Sequence, residues 1–130
     1  MNYNILEKYL EDSKYEELLE IYKEDLERAE EYSNLFTNNA LISPHECQEA
    51  LETLTGLYMK FNTIYNIAEY QYEKKKQLSK LTTGDKDSLM TIACLRVKTI
   101  FKSYMNNARK GISSCQSLLR YYIKEMELIR

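Results

Sequence analysis

Apolar residues recur along this chain at alternating steps of four and three, the period of an amphipathic helix. The first such row is Tyr15, Leu19, Tyr22, Leu26, Ala29, Ser33 and Phe36. The second is Cys47, Leu51, Leu54, Tyr58, Phe61, Tyr65, Ala68 and Tyr72, with Leu57, Ile64 and Leu78 widening it to one side. The third runs Leu89, Ala93, Val97, Ile100, Tyr104, Ala108, Gly111, Cys115, Leu118, Tyr122, Met126 and Ile129. Its mean step is about 3.6 residues, that of a straight α-helix. A shorter apolar cluster, Ile5, Leu6, Tyr9 and Leu10, predicts a short helix over 3–10.

The polar residues between these rows place the helix ends. Ser13 followed by Glu16 has capping-box spacing and starts an acidic helix over 14–36. Ser43-Pro44-His45-Glu46 is a stronger start, with a capping serine, proline at the first helical position and a glutamate three residues after the cap. It opens a helix over 44–81 that stops at Thr82-Thr83-Gly84-Asp85, where Gly84 is a C-terminal stop. Asp85 or Asp87 caps the last helix, 86–129. At 1.5 Å per residue the two long helices are roughly 55–65 Å each. The short connection between them predicts an antiparallel hairpin turning near residue 83, with the acidic helix packed along one half of it.

The expected fold is therefore all-α: one helical domain over 1–130, with three main helices. A short third helix leaves part of the hairpin seam uncovered, and exposed apolar seams are unfavourable, so the pattern predicts a homo-oligomer or another protein partner. Within Gly111-Ile112-Ser113-Ser114-Cys115, small residues let another helix approach closely. Leu118, Leu119, Tyr121 and Tyr122 add more apolar surface than one neighbour covers. Gly111, Cys115, Leu118, Leu119, Tyr121 and Tyr122 are the expected oligomer interface.

Composition agrees with long helices, since only three glycines and one proline stand among 29% charged residues. Charge adds something the pattern does not show. The net charge is −2, yet residues 1–52 carry −10 and residues 53–130 carry +8. Such polarity serves self-association or affinity for polyanions, unless the acidic part folds onto the basic part and cancels it.

Chemistry of the enzymatic kind finds little to build on. His45 is the only histidine, and Cys47, Cys94 and Cys115 are widely spaced with no CxxC pair, so no metal site is expected. Three scattered glycines make no phosphate-binding loop. The carboxylates of the acidic helix read as a solvated face. The expectation is a non-enzyme without cofactors. Free buried thiols are the expectation for a reducing cytoplasm, and the sequence predicts neither a signal peptide nor a membrane-spanning apolar run.

The basic residues are more informative. Lys74, Lys75, Lys76 and Lys80 close one long helix, and Lys86, Arg96, Lys98 and Lys102 open the next. An antiparallel hairpin gathers these eight at one end, near Tyr70 and Tyr72. Cations interleaved with aromatics suit single-stranded nucleic acid, with charge for phosphates and rings for bases. The same cluster also reads as an ordinary solvated helix end.

The run DKDSL at 85–89, the helix carrying Ile100, Tyr104, Ala108 and Ile112, and the following ISSCQSLLR resemble the last helix of UvsY-type recombination mediators of bacteriophages. LTGLYMKFNTIYNIAEYQYEKKK, residues 54–76, is similar to small helical phage proteins encoded near recombination functions. The resemblance covers about residues 54–126, and the acidic segment 14–36 has no counterpart in it. It implies a helical, ring-like oligomer that loads a recombinase onto single-stranded DNA in the host cytoplasm. Two other readings stand beside it. One is a small phage protein that inhibits or adapts another protein, its acidic helix imitating nucleic acid. The other is a purely structural assembly subunit.

Overall fold

The computed structural model describes residues 15–37, 43–79 and 85–129. All the elements among them are helices: α1 (Tyr15–Ile21), α2 (Lys23–Thr37), α3 (Pro44–Ser79) and α4 (Asp85–Ile129). The helix expected over 3–10, the Ser13 cap, the Gly84 stop, Lys80 and the side chain of Lys86 lie outside the described residues. No helix among the described residues is long and apolar enough to cross a membrane.

The two long helices fall where the pattern put them. At the start of α3 the backbone N–H of Glu46 donates to Ser43 Oγ at 3.2 Å, and that of Cys47 to the Ser43 carbonyl at 2.9 Å. The serine side chain thus satisfies the Glu46 amide, which a bare helix start would leave unpaired, while its carbonyl accepts the first helical bond. Mid-helix hydroxyls turn inward on the backbone: Thr55, Thr99 and Ser114 donate to the carbonyls of Leu51, Leu95 and Lys110, four residues earlier. The acidic segment departs from expectation. It is two helices, with Tyr22 in a turn between them. The Tyr22 N–H still donates to the Leu18 carbonyl at 3.3 Å, so a helical bond survives at the break.

The chain forms two compact units. Unit 1 comprises Met1–Glu24 and Phe61–Ser103, and unit 2 comprises Asp25–Lys60 and Tyr104–Arg130. Each takes one half of α3 and one half of α4.

In unit 1 the core is Leu18 and Tyr22, then Phe61, Ile64, Ala68 and Gln71 of α3, then Ala93, Cys94, Val97 and Phe101 of α4. Phe101 is central. Its ring centroid is 5.7 Å from that of Phe61, and the Tyr22 ring meets it edge-on at 5.8 Å and 86°. Full burial of a side chain this size stabilises by about 1.5–3 kcal/mol, so this trio is the main tie of the unit. Phe61 touching Phe101 and Glu69 touching Lys98 show α3 and α4 running antiparallel here.

In unit 2 the core is built mostly of small residues: Ala29, Cys47, Ala50, Leu54, Leu57, Met105, Ala108 and Cys115 are buried. Tyr32, Leu35 and Phe36 of α2 and Leu51, Tyr58, Ile112, Leu118 and Leu119 of the long helices pack against it. Lys60 bonds Asp25 at 2.7 Å, and Tyr104 donates a short hydrogen bond to Glu30. Arg109 donates to the Tyr58 hydroxyl at 3.0 Å with its guanidinium 5.6 Å from that ring.

The expected rows are right in period and shifted in detail. On α3 the buried row is 47, 50, 54, 57, 61, 64, 68 and 71. Tyr58, Tyr65 and Tyr72, expected in the seam, are half-buried beside it. On α4, Phe101 and Met105 occupy the core where Ile100 and Tyr104 were expected, and on α1 Leu18 replaces Leu19. Tyr58, Tyr65, Tyr72 and Tyr104 keep their hydroxyls near water by sitting at a seam's edge, while purely apolar neighbours take the centre.

Candidate functional site

The cations expected to bind nucleic acid belong to unit 1, where the described ones divide by helical face. Tyr70 is 63% exposed on α3, and Lys74, one turn later, is exposed on the same side. Tyr72, two residues from Tyr70, points to a different side, so the two rings do not form one platform. Tyr72 is half-buried with the Lys98 ammonium 5.1 Å from its ring centroid and Lys76 at 5.9 Å. Lys98 also pairs with Glu69 at 3.8 Å, and its side chain is 21% exposed. Its charge is thus directed largely inward, to a carboxylate and a ring.

Lys76, Arg96 and Lys102 are exposed, and Lys75 is half-buried. Lys102 stands one turn beyond Lys98 on α4. Tyr65, half-buried one heptad before Tyr72, shares that face of α3 and was read from the sequence only as seam. The seven-residue repeat of Tyr58, Tyr65 and Tyr72 was the available signal for it.

The charge asymmetry along the sequence does not become an asymmetry between units. Unit 1 contains 11 acidic and 11 basic residues, and unit 2 contains 9 and 7. Any field acting on a polyanion is therefore that of a local face and not of a whole unit. Glu16, Glu17, Glu20 and Glu24 are exposed in the same unit as the cations.

In unit 2, Cys47 and Cys115 meet. The Cys47 thiol donates to the Cys115 carbonyl at 3.2 Å, and both residues are buried. Burial pushes both thiols up, Cys115 to about 12 with the neighbouring Cys47 adding to it. Both are therefore protonated, weak nucleophiles near neutral pH. Among the described residues no group of three or more His, Cys, Asp and Glu side chains is placed to hold a metal ion. His45 is exposed and pairs with Glu49 at 3.2 Å. An open cleft of about 240 Å³ is lined by Ser33, Phe36, Asn107, Lys110, Gly111 and Ser114, with one ionisable group and no nucleophile–base pair.

The residues expected at a subunit contact divide in two. Gly111 and Cys115 are buried in unit 2's own core, so the close approach that the small residues permit is that of this chain's own helices. Leu118 and Leu119 pack partly on that core. Tyr121 is exposed and donates to Glu125 at 2.6 Å, while Tyr122 is half-buried with its ring 5.8 Å from that of Tyr121. Ile123, Met126 and Leu128, outside the expected set, are exposed at 56%, 64% and 86%. Comparison of the chain with protein-family models, with curated proteins and with solved structures gives no match.

Proposed function

We propose that this chain is a non-enzymatic, self-associating helical protein of the recombination-mediator type that binds single-stranded DNA through unit 1. The observation that carries the reading is Tyr70, a large ring 63% exposed with the exposed Lys74 one turn away. An exposed ring beside a cation offers a stacking surface and a phosphate partner together. Lys76, Arg96 and Lys102 add charge in the same unit. Lys98 and Tyr72 have a different role here: Lys98, paired with Glu69 and lying over the Tyr72 ring, holds α4 against α3. A strand held this way would be exposed to a recombinase while its coating protein is displaced, in the host cytoplasm.

The test is fluorescence anisotropy of a labelled oligothymidylate. Three or four phosphate contacts per chain predict that log K falls with log salt at a slope of about −2 to −3. Tyr70→Ala should weaken binding at every salt concentration, because stacking is worth about 1–3 kcal/mol per base. Lys74→Glu with Lys102→Glu should reduce the slope. No binding at low salt defeats the reading.

A second reading rests on Glu16, Glu20 and Glu24, all exposed. They favour a protein that presents carboxylates to a basic groove of another protein. Charge reversal at Glu20 and Glu24 that leaves such a partner bound would remove it.

A further inference from the structure

The last turns of α4 carry a face that no described helix covers. Cys115 is buried against Cys47 in the first turn of α3. From Arg120 to Leu128 every residue except Tyr122 is exposed. The apolar pattern nonetheless continues. Tyr122 lies one heptad beyond Cys115, and Leu119 and Met126 lie one and two heptads beyond Ile112, which packs on the core. The row that forms the core of unit 2 therefore runs on past Leu119, at the core's edge, to Tyr122, Ile123 and Met126.

The charges flanking this stripe say what covers it. Arg120, Ile123 and Glu127 are spaced i, i+3, i+7 and lie in one row along the helix. Read from one end the row is basic, apolar, acidic, and read from the other it is acidic, apolar, basic. A row of that kind is complementary to itself only when reversed. We infer that the end of α4 is a dimer contact in which two copies of this chain pair antiparallel about a two-fold axis passing between Ile123 and Lys124.

That axis sets Arg120 of each copy opposite Glu127 of the other and brings the two Ile123 side chains together at the centre. Leu119, Tyr122 and Met126 close the contact from both sides. A parallel pairing would set Arg120 against Arg120 and Glu127 against Glu127, so like charges exclude it. The contact is short, which places it among weak, micromolar associations. It deepens the self-association in the proposed function and needs no nucleic acid, so the two fail separately.

The test is sedimentation equilibrium of the full chain without DNA at moderate salt, with circular dichroism to check that each variant keeps its helix content. The expected result is a monomer–dimer equilibrium. R120E and E127R should each raise the dissociation constant about tenfold, since each sets like charges opposite. The double variant R120E/E127R restores the pairing with its signs exchanged, and should return to within about threefold of the original. I123K should leave only monomer. The inference is overturned by a monomer at several hundred micromolar, by an assembly that I123K leaves intact, or by a double variant no better than the single ones. A dimer of this kind that ignores an oligonucleotide removes the nucleic-acid reading alone. Binding of the oligonucleotide by an obligate monomer removes the contact alone.

Discussion

A Cβ placed on Gly111 would lie 2.7 Å from Leu54 Cδ1, with Phe36 next at 3.7 Å. Leu54 is 1% exposed, so its methyl would have to shift within the core. A side chain at Gly111 would thus press on the core, although glycine is a poor helix former. Gly56, on α3, has nothing among the described residues within 4 Å of such an atom. Gly56→Ala should stabilise by about 0.5–1 kcal/mol, the helix-propensity gain. Gly111→Ala should destabilise by about 1–2 kcal/mol, since overpacking exceeds the same gain. In a Leu54→Ala background the added methyl has space, and Gly111→Ala should become neutral or favourable. Urea midpoints for the four chains give this coupling, and additivity would contradict the packing account.

The Tyr104 phenol is pushed up to about 12 by burial first, then by its hydrogen bond to Glu30 and that carboxylate's charge. The sign follows from proton counting. Below about pH 10 the tyrosine is protonated in both folded and unfolded chains, and its contribution is complete. Between about 10 and 12 the unfolded chain ionises while the folded one does not, so stability falls as pH rises. Tyr104→Phe should be less stable at pH 8 and should lose less stability between pH 9.5 and 11. Parallel curves for the two chains would rule the bond out as the source.

Gln71 is 4% exposed, and its Oε1 has no hydrogen-bond partner among the described residues. A buried acceptor without a partner costs about 1–3 kcal/mol. Gln71→Met keeps the length and removes the acceptor, so it should raise the urea midpoint by the equivalent of about 1 kcal/mol. A loss of stability would show that the amide is needed where it stands.

Cys47, Cys94 and Cys115 are all buried thiols outside any disulfide. The native chain at pH 8 should react with a bulky thiol reagent only as fast as it opens, and all three thiols should react at once in urea. Fast modification of any one before unfolding would contradict this packing.

Much of the fold was legible in the sequence because helix formation reads short-range spacing. The Ser43–Glu46 start, the scarcity of glycine and proline, and the four–three periodicity each act within a few residues. The two long helices and their antiparallel pairing followed from them. The face of each helix was less legible, because leucine, phenylalanine and tyrosine score alike as apolar. Phe101 over Ile100, and Leu18 over Leu19, were decided by which neighbour had room. The candidate site divided in the same way. Clustered lysines are visible in any listing of residues 74–102, but Glu69 and Tyr72 claim Lys98 only once α3 lies beside α4.

The sequence by itself determined that this chain is helical and where its long helices run, since those properties depend on backbone bonds between near neighbours. Tertiary structure alone decided that Gly111 and Cys115 are enclosed by Leu54 and Cys47 of the same chain, and that the apolar row emerges into solvent only after Leu119. The physical reason is that burial is a property of pairs of helices: a row of apolar residues is the same in the sequence whether its partner is another helix of this chain, a second copy, or water.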